Sequence, residues 1–283
     1  MSLKAVLFDF NGVIIKDEPI HLQLIDEILI QENLQPQRVN ERQAALGRSD
    51  RACFQQLLAN RGRVASEDYL NQLLNRKAEA YVLELEKLEK LPLYPGVEDL
   101  IYQVRSRSVS KGDSRSVSKG DSRSVSKGDS RSVSKGDSRN LKLGLVSGAF
   151  RKEIELVLER AKLTEYFKVI VAGEDTTTSK PNPDGYLLAV ERLNQQYPDL
   201  NLQPQECLAI EDTPDGIQAA KLAEMQVVGV ANTYPFHMLH RCCNWVVDYL
   251  TDVDLEWVQE VYQRRQEAEG KKHSQQSAGN EVL

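Results

Sequence analysis

The chain has 283 residues, enough for one large or two small domains and a substantial core. A net charge of −6 argues against a nucleic-acid binder, which is more often basic. No run approaches the ~18 apolar residues of a membrane span, and the four cysteines (Cys53, Cys207, Cys242, Cys243) lack the spacing of a disulfide framework or zinc site. Residues 4–8 are almost wholly apolar and read as a buried strand; Asp9 cuts this run too short for a signal segment. No strand pattern follows between 18 and 90. Ile20, Leu24, Ile25, Ile28 and Leu29 recur at helical spacing over residues 18–32, and residues 51–59 and 66–88 read the same way. Pro92 and Pro95-Gly96 end this helical interval, and a helix is expected over 96–104.

Residues 107–138 are four copies of Arg-Ser-Val-Ser-Lys-Gly-Asp-Ser. With Val as the one apolar residue in each copy, they cannot bury a core and are expected to stay flexible. Each copy carries two cations and one anion, so the rest of the chain is more acidic than the net charge indicates. Beyond the repeats, apolar runs at 141–146, 168–172, 206–210, 226–230 and 245–247 alternate with helical patterns at 152–162, 183–195 and 215–223. A flexible polar tail is expected over 267–283.

Strands alternating with helices predict an α/β fold with a doubly wound, Rossmann-like parallel sheet. The expected division is a core of residues 1–17 and 91–250 and an inserted helical cap of residues 18–90. Four short sequences then stand just past strand ends: Asp9-Phe10-Asn11-Gly12-Val13, Ser147-Gly148, Lys180-Pro181 and Glu211-Asp212. In an open parallel sheet the carboxyl ends of the strands share one edge, where ligands bind. Taken together, an Asp, a Ser, a Lys and an acidic pair converge there. A carboxylate can attack phosphorus and form an acyl phosphate. Clustered carboxylates repel one another unless a cation neutralises them. Asp9, Asp212 and the backbone carbonyl of Asn11 would offer hard oxygen ligands suited to Mg²⁺. Ser147 and the Gly148 backbone would hold phosphoryl oxygens, and Lys180 would add positive charge beside them.

The segments DFNGV, VSG, KPNPDGY and IEDTPDGI resemble the four motifs of the haloacid dehalogenase superfamily, over about residues 1–250 apart from the repeats. The helical insertion resembles the cap of the branch containing phosphoglycolate phosphatases and β-phosphoglucomutases. The resemblance implies that Asp9 is the nucleophile, that Ser147 and Lys180 bind phosphate, and that Asp212, assisted by Glu211, holds Mg²⁺. Family phosphatases and mutases carry an acid/base Asp two places after the nucleophile, and here that position is Asn11, which does not titrate. His21, Gly47, Ser49 and Lys77 fall where the mutases place cap residues. The mutase Arg after the Ser is replaced by Asp50, flanked by Arg48 and Arg51 as candidate substitutes. The expected function is a Mg²⁺-dependent phosphatase. The alternatives are a sugar phosphomutase and a nearly inactive phosphate-ligand binder. The expected partner is a small phosphorylated metabolite, with no nucleic acid and no membrane, for a monomer in the reducing cytoplasm.

Overall fold

The computed structural model describes residues 2–45, 48–106 and 141–264. The four repeats at 107–138, the tail at 267–283 and the proposed substrate contact Gly47 lie outside the described residues.

Six short strands form one parallel sheet: β1 (Ala5–Phe8), β2 (Lys142–Val146), β3 (Phe167–Val171), β4 (Cys207–Glu211), β5 (Gln226–Val230) and β6 (Trp245–Val247), in the order β3-β2-β1-β4-β5-β6. β1 thus sits centrally, and the chain winds outward from it to both sides. β1, β2 and β4 are buried throughout because both faces of the sheet are covered. Alternate residues feed opposite layers. Val6, Phe8, Leu143, Leu145, Leu208 and Ile210 face one layer, and Ala5, Leu7, Val146, Cys207 and Ala209 face the other.

The first layer is closed by α5 (Val97–Ser106) and α6 (Arg151–Arg160), and the second by α7 (Asp184–Gln196) and α8 (Pro214–Leu222). α9 (Phe236–Leu239) adds Leu239 to the second layer. Leu250, Val253, Leu255, Val258 and Tyr262 also pack into the first layer, so the core reaches past residue 250. Residues 255–264 are helical, and the Tyr262 hydroxyl donates to the Cys207 carbonyl at 2.6 Å.

Between β1 and α5 stand α1 (Glu18–Gln31), α2 (Val39–Ala45), α3 (Asp50–Asn60) and α4 (Glu67–Lys87). Ile25, Ile28 and Leu29 of α1, Phe54, Leu57 and Leu58 of α3, and Leu70, Leu73 and Leu74 of α4 form a third apolar cluster. The N-caps are local in origin: Ser49 accepts from the Ala52 N–H and Ser66 from the Tyr69 N–H, both at 3.3 Å. The chain leaves and re-enters the core through adjacent segments, with Lys16 N–H donating to the Pro92 carbonyl at 2.8 Å and Tyr94 N–H to the Ile14 carbonyl at 3.0 Å. All four cysteines are free. Among the described residues no helix is long and apolar enough to cross a membrane.

Candidate active site

The carboxyl ends of β1, β2 and β4 meet at the centre of the sheet, where the winding direction changes. That is the crevice in which open α/β sheets bind ligands. Asp9 follows β1 and is anchored by its N–H on the Ile210 carbonyl at 3.0 Å. Glu211 ends β4, and Asp212 comes next. One carboxylate oxygen from each of Asp9, Glu211 and Asp212 lies within 4.8 Å of the others, and all three residues are buried. Lys180 reaches in from the loop before α7. Its Nζ contacts Asp9 Oδ1 at 2.8 Å, Glu211 Oε1 at 2.6 Å and the Val146 carbonyl at 3.1 Å. The Tyr186 hydroxyl donates to Glu211 Oε1 at 2.5 Å.

Electrostatics follow from this crowding. Burial pushes the Glu211 carboxyl up to about 7, against the pull of Lys180. Burial also holds Asp212 well above the ordinary carboxylate range, and the charges of Asp9 and Glu211 add to it. Lys180 is held above its usual value: burial works against its charge, and Asp9 and Glu211 outweigh burial. The cluster therefore contains more negative charge than one ammonium can balance. Asp212 Oδ1 is buried with no hydrogen-bond partner. An orphaned carboxylate oxygen beside two further carboxylates is the donor set of a hard divalent cation such as Mg²⁺, so the residues fit that ion.

Two glycines make room for this cluster. Gly12 has φ +79°, and a Cβ there would overlap the Asp212 carboxylate. On α8, whose N-cap Thr213 accepts from the Gly216 N–H at 3.1 Å, a Cβ on Gly216 would overlap the Glu211 carboxylate. Gly→Ala in a helix ordinarily stabilises by up to about 1 kcal/mol. Gly216→Ala is expected to do the reverse and cost about 1–3 kcal/mol by overpacking. A denaturant melt checks this, and a variant as stable as the parent would show that Glu211 is free to move aside.

A cavity of about 920 Å³ opens above the cluster. Asp9, Asn11, Ser147, Gly148, Lys180 and Asp212 line its base, and His21, Arg48, Ser49 and Arg51 line its far wall. The structure thus brings together most of the residues singled out from the sequence. Ser147 Oγ accepts from the Ala149 N–H at 3.0 Å, which turns the chain toward the N-terminus of α6. Ser49 borders the cavity while capping α3. Arg51 is tied to Glu67 at 2.7 Å and Asn71 at 2.6 Å, and Arg48 is exposed with no ion pair among the described residues.

Lys77 corrects the expectation of a substrate contact. It does not line the cavity, and its side chain is 0% exposed. Its ammonium sits on Asp50 Oδ2 at 2.6 Å and Glu153 Oε1 at 3.3 Å, and against His21 Nδ1. A buried ammonium needs carboxylates on both sides, and α3 and α6 supply them.

Asn11 also has a role that its sequence position did not reveal. Its Nδ2 donates to the Asp17 carboxylate at 2.9 and 3.2 Å and lies 3.1 Å from His21 Nε2. Asp17 is fully buried and accepts from the Tyr81 hydroxyl as well. An Asp at position 11 would face a second carboxylate at this distance, so the amide suits Asp17. Tyr81 and Glu153 escaped sequence reading because Asp17 and Lys77, which they meet, lie far away in the chain, and Asp17 read as an ordinary residue before a helix. Glu18 was missed as well. It lines the cavity, and its Oε1 is buried with no partner. Helix-start position disguised it as an ordinary acidic residue favouring the helix dipole.

The model of the haloacid dehalogenase-like hydrolases matches residues 3–224. A β-phosphoglucomutase of Bacillus subtilis (strain 168) is 27% identical over 267 residues, 93% of this chain and 96% of that protein. Phosphoglycolate phosphatase of Escherichia coli (strain K12) is 34% identical over 96 residues, 34% of this chain and 35% of that protein. The crystal structure of β-phosphoglucomutase from Clostridium difficile superposes with a TM-score of 0.69 at 23% identity, covering 93% of this chain and 98% of that one.

Proposed function

The chain belongs to the haloacid dehalogenase-like hydrolase family, and from that premise we propose that it is a Mg²⁺-dependent phosphatase acting on a small organic phosphate. The observation that carries this reading is the Asp9–Lys180–Glu211 bridge beside Asp212, set at the base of a large cavity. Its relatives include a phosphomutase and a phosphatase by name.

On this reading the phosphoryl group lies over Asp9. Ser147 and the backbone at Gly148 hold its oxygens. A carboxylate oxygen of Asp9 attacks phosphorus, the ester oxygen departs, and an acyl phosphate forms on Asp9. Water then cleaves it and restores the carboxylate. Lys180 keeps the Asp9 carboxylate ionised and places positive charge beside the transferring group. Asp9 and Asp212, with Glu211 behind them and the Asn11 carbonyl as a further ligand, would hold Mg²⁺, which would supply charge to offset the phosphate and the carboxylates. Asn11 cannot move a proton, so the leaving oxygen must be served by another group.

The phosphatase is preferred to the mutase because the far wall is nearly charge-balanced. Lys77 is spent on Asp50 and Glu153, and Arg51 on Glu67 and Asn71. Arg48 is left to meet a second phosphate. Turnover of a panel of sugar, alkyl and nitrophenyl phosphates, with and without Mg²⁺, tests the reading. The expected result is Mg²⁺-dependent phosphate release, with an acid-quenched phosphoryl group on the peptide containing Asp9. A protein that binds phosphate tightly, turns over no ester and never carries a phosphoryl group would be a binder instead.

A further inference from the structure

Resting on the phosphatase reading, we propose that Glu18 is the general acid and base of this site, doing what Asn11 cannot. The argument is one of elimination among the titratable side chains that border the cavity. Asp9 and Lys180 are bonded to each other at 2.8 Å, and Asp212 belongs to the carboxylate trio. Asp50 is paired with Lys77 at 2.6 Å and Glu67 with Arg51 at 2.7 Å. Glu174 accepts from the Arg151 N–H at 3.0 and 3.2 Å, capping α6. His21 is held at both ring nitrogens, Nε2 by Asp17 at 3.0 Å and Nδ1 by Lys77. The Tyr186 hydroxyl is given to Glu211. The Cys53 thiol is pushed up to about 12 by burial, out of reach of proton traffic near neutrality. Glu18 remains. Its Oε1 is withdrawn from water and has no hydrogen-bond partner.

Its placement suits the task. Glu18 follows Asp17 directly, Asp17 grips the Asn11 side chain, and Glu18 lines the cavity whose base carries Asp9. Tyr94 stands in the combined field of Glu18, Asp212 and Asp17. The groups acting on Glu18 are its own backbone N–H, Asp17, His21, Lys16 and the Tyr94 hydroxyl, which bonds to the carboxyl while its Oε1 keeps no partner. Burial lifts its carboxyl above the usual range and Asp17 adds to that, while the N–H, His21 and Lys16 pull it back by less. A carboxyl raised in this way keeps a proton to give, as a general acid must.

The step balances. As the Asp9 oxygen bonds to phosphorus, the phosphorus–ester bond breaks and its electron pair passes to the ester oxygen. The Glu18 proton joins that oxygen, and the alcohol departs. Glu18, now a carboxylate, takes a proton from the water that attacks the acyl phosphate. Phosphate leaves, and both carboxyl groups return to their starting states.

The test is Glu18→Gln on two substrates, one alkyl or sugar phosphate and nitrophenyl phosphate, whose leaving group needs no proton. The expected result is a loss of about 10²-fold or more in kcat on the alkyl ester. The acidic limb of its pH profile should disappear, while the burst of nitrophenolate persists at wild-type amplitude and shows that the variant is folded. Glu18→Asp should keep part of the alkyl activity. An equal loss in the rate of the phosphorylation step on both substrates, or a loss of turnover on neither, overturns the assignment of Glu18 and leaves the phosphatase reading standing. A wild-type protein that hydrolyses neither ester and never labels Asp9 overturns the phosphatase reading itself.

Discussion

Asp9→Asn is expected to lower turnover of every phosphate ester by about 10⁴-fold or more, the usual scale for removing a nucleophile. The amide is nearly the same size as the carboxylate, so the Asp9 loop should hold its shape. Its anchors are backbone bonds, from Asp9 N–H to Ile210 and from Asn232 Nδ2 to the Gly12 carbonyl at 2.7 Å. Stability should change little. Lys180 loses one partner at 2.8 Å and keeps Glu211 at 2.6 Å, while Asp212 is relieved of a like charge. Steady-state rates on nitrophenyl phosphate, paired with a thermal melt, make the comparison. A folded variant within tenfold of the parent would remove Asp9 from the chemistry.

Lys77→Met should produce the largest loss of stability, about 3–5 kcal/mol, the typical cost of breaking a buried pair from one side. Asp50 and Glu153, 13% and 0% exposed, would be left facing each other without a cation. At this chain length that corresponds to a fall of roughly 5–8 °C in Tm. The effect should be specific to charge. Adding Asp50→Asn and Glu153→Gln to Lys77→Met should recover most of the loss, because neutral groups of equal shape need no counter-ion. A triple variant as unstable as the single one would mean that packing against the Tyr81 ring, 5.2 Å from Nζ, dominates instead.

The sheet was legible because its central strands β1, β2 and β4 are covered on both faces and read as nearly continuous apolar runs. β5 and β6 coincide with the runs at 226–230 and 245–247, and the other strands shift by a residue or so at their ends. α2 left no signal: it buries none of its residues, so Val39–Ala45 shows no apolar period. The spacing of Leu255, Val258 and Tyr262 is a helical signal that the sequence reading leaves unused in ending the core at residue 250. Asp9, Ser147, Glu211 and Asp212 could be found because each stands at a strand end, and topology alone brings strand ends together; Lys180 comes from the loop that follows β3. Lys77 could not be assigned in the same way. Whether a helical lysine faces a cavity or a carboxylate depends on where α3 and α6 cross α4, and no local pattern encodes that. Glu18 is the converse case, an unremarkable acidic residue until its surroundings exclude water.

β2 pairs with β1 in parallel register, Ala5 beside Lys142 and Phe8 beside Leu145. The chain therefore re-enters the sheet at Leu141 beside Lys4, and the reactive edge lies a strand length away, about 13 Å at the usual rise per residue. The eight-residue copies are spliced into that far connection. Gain or loss of a whole copy changes the length of one link and none of the ladder pairs. The same junction is a natural splice point for a fluorescent reporter or an affinity module, carried behind the catalytic face and out of the substrate's path.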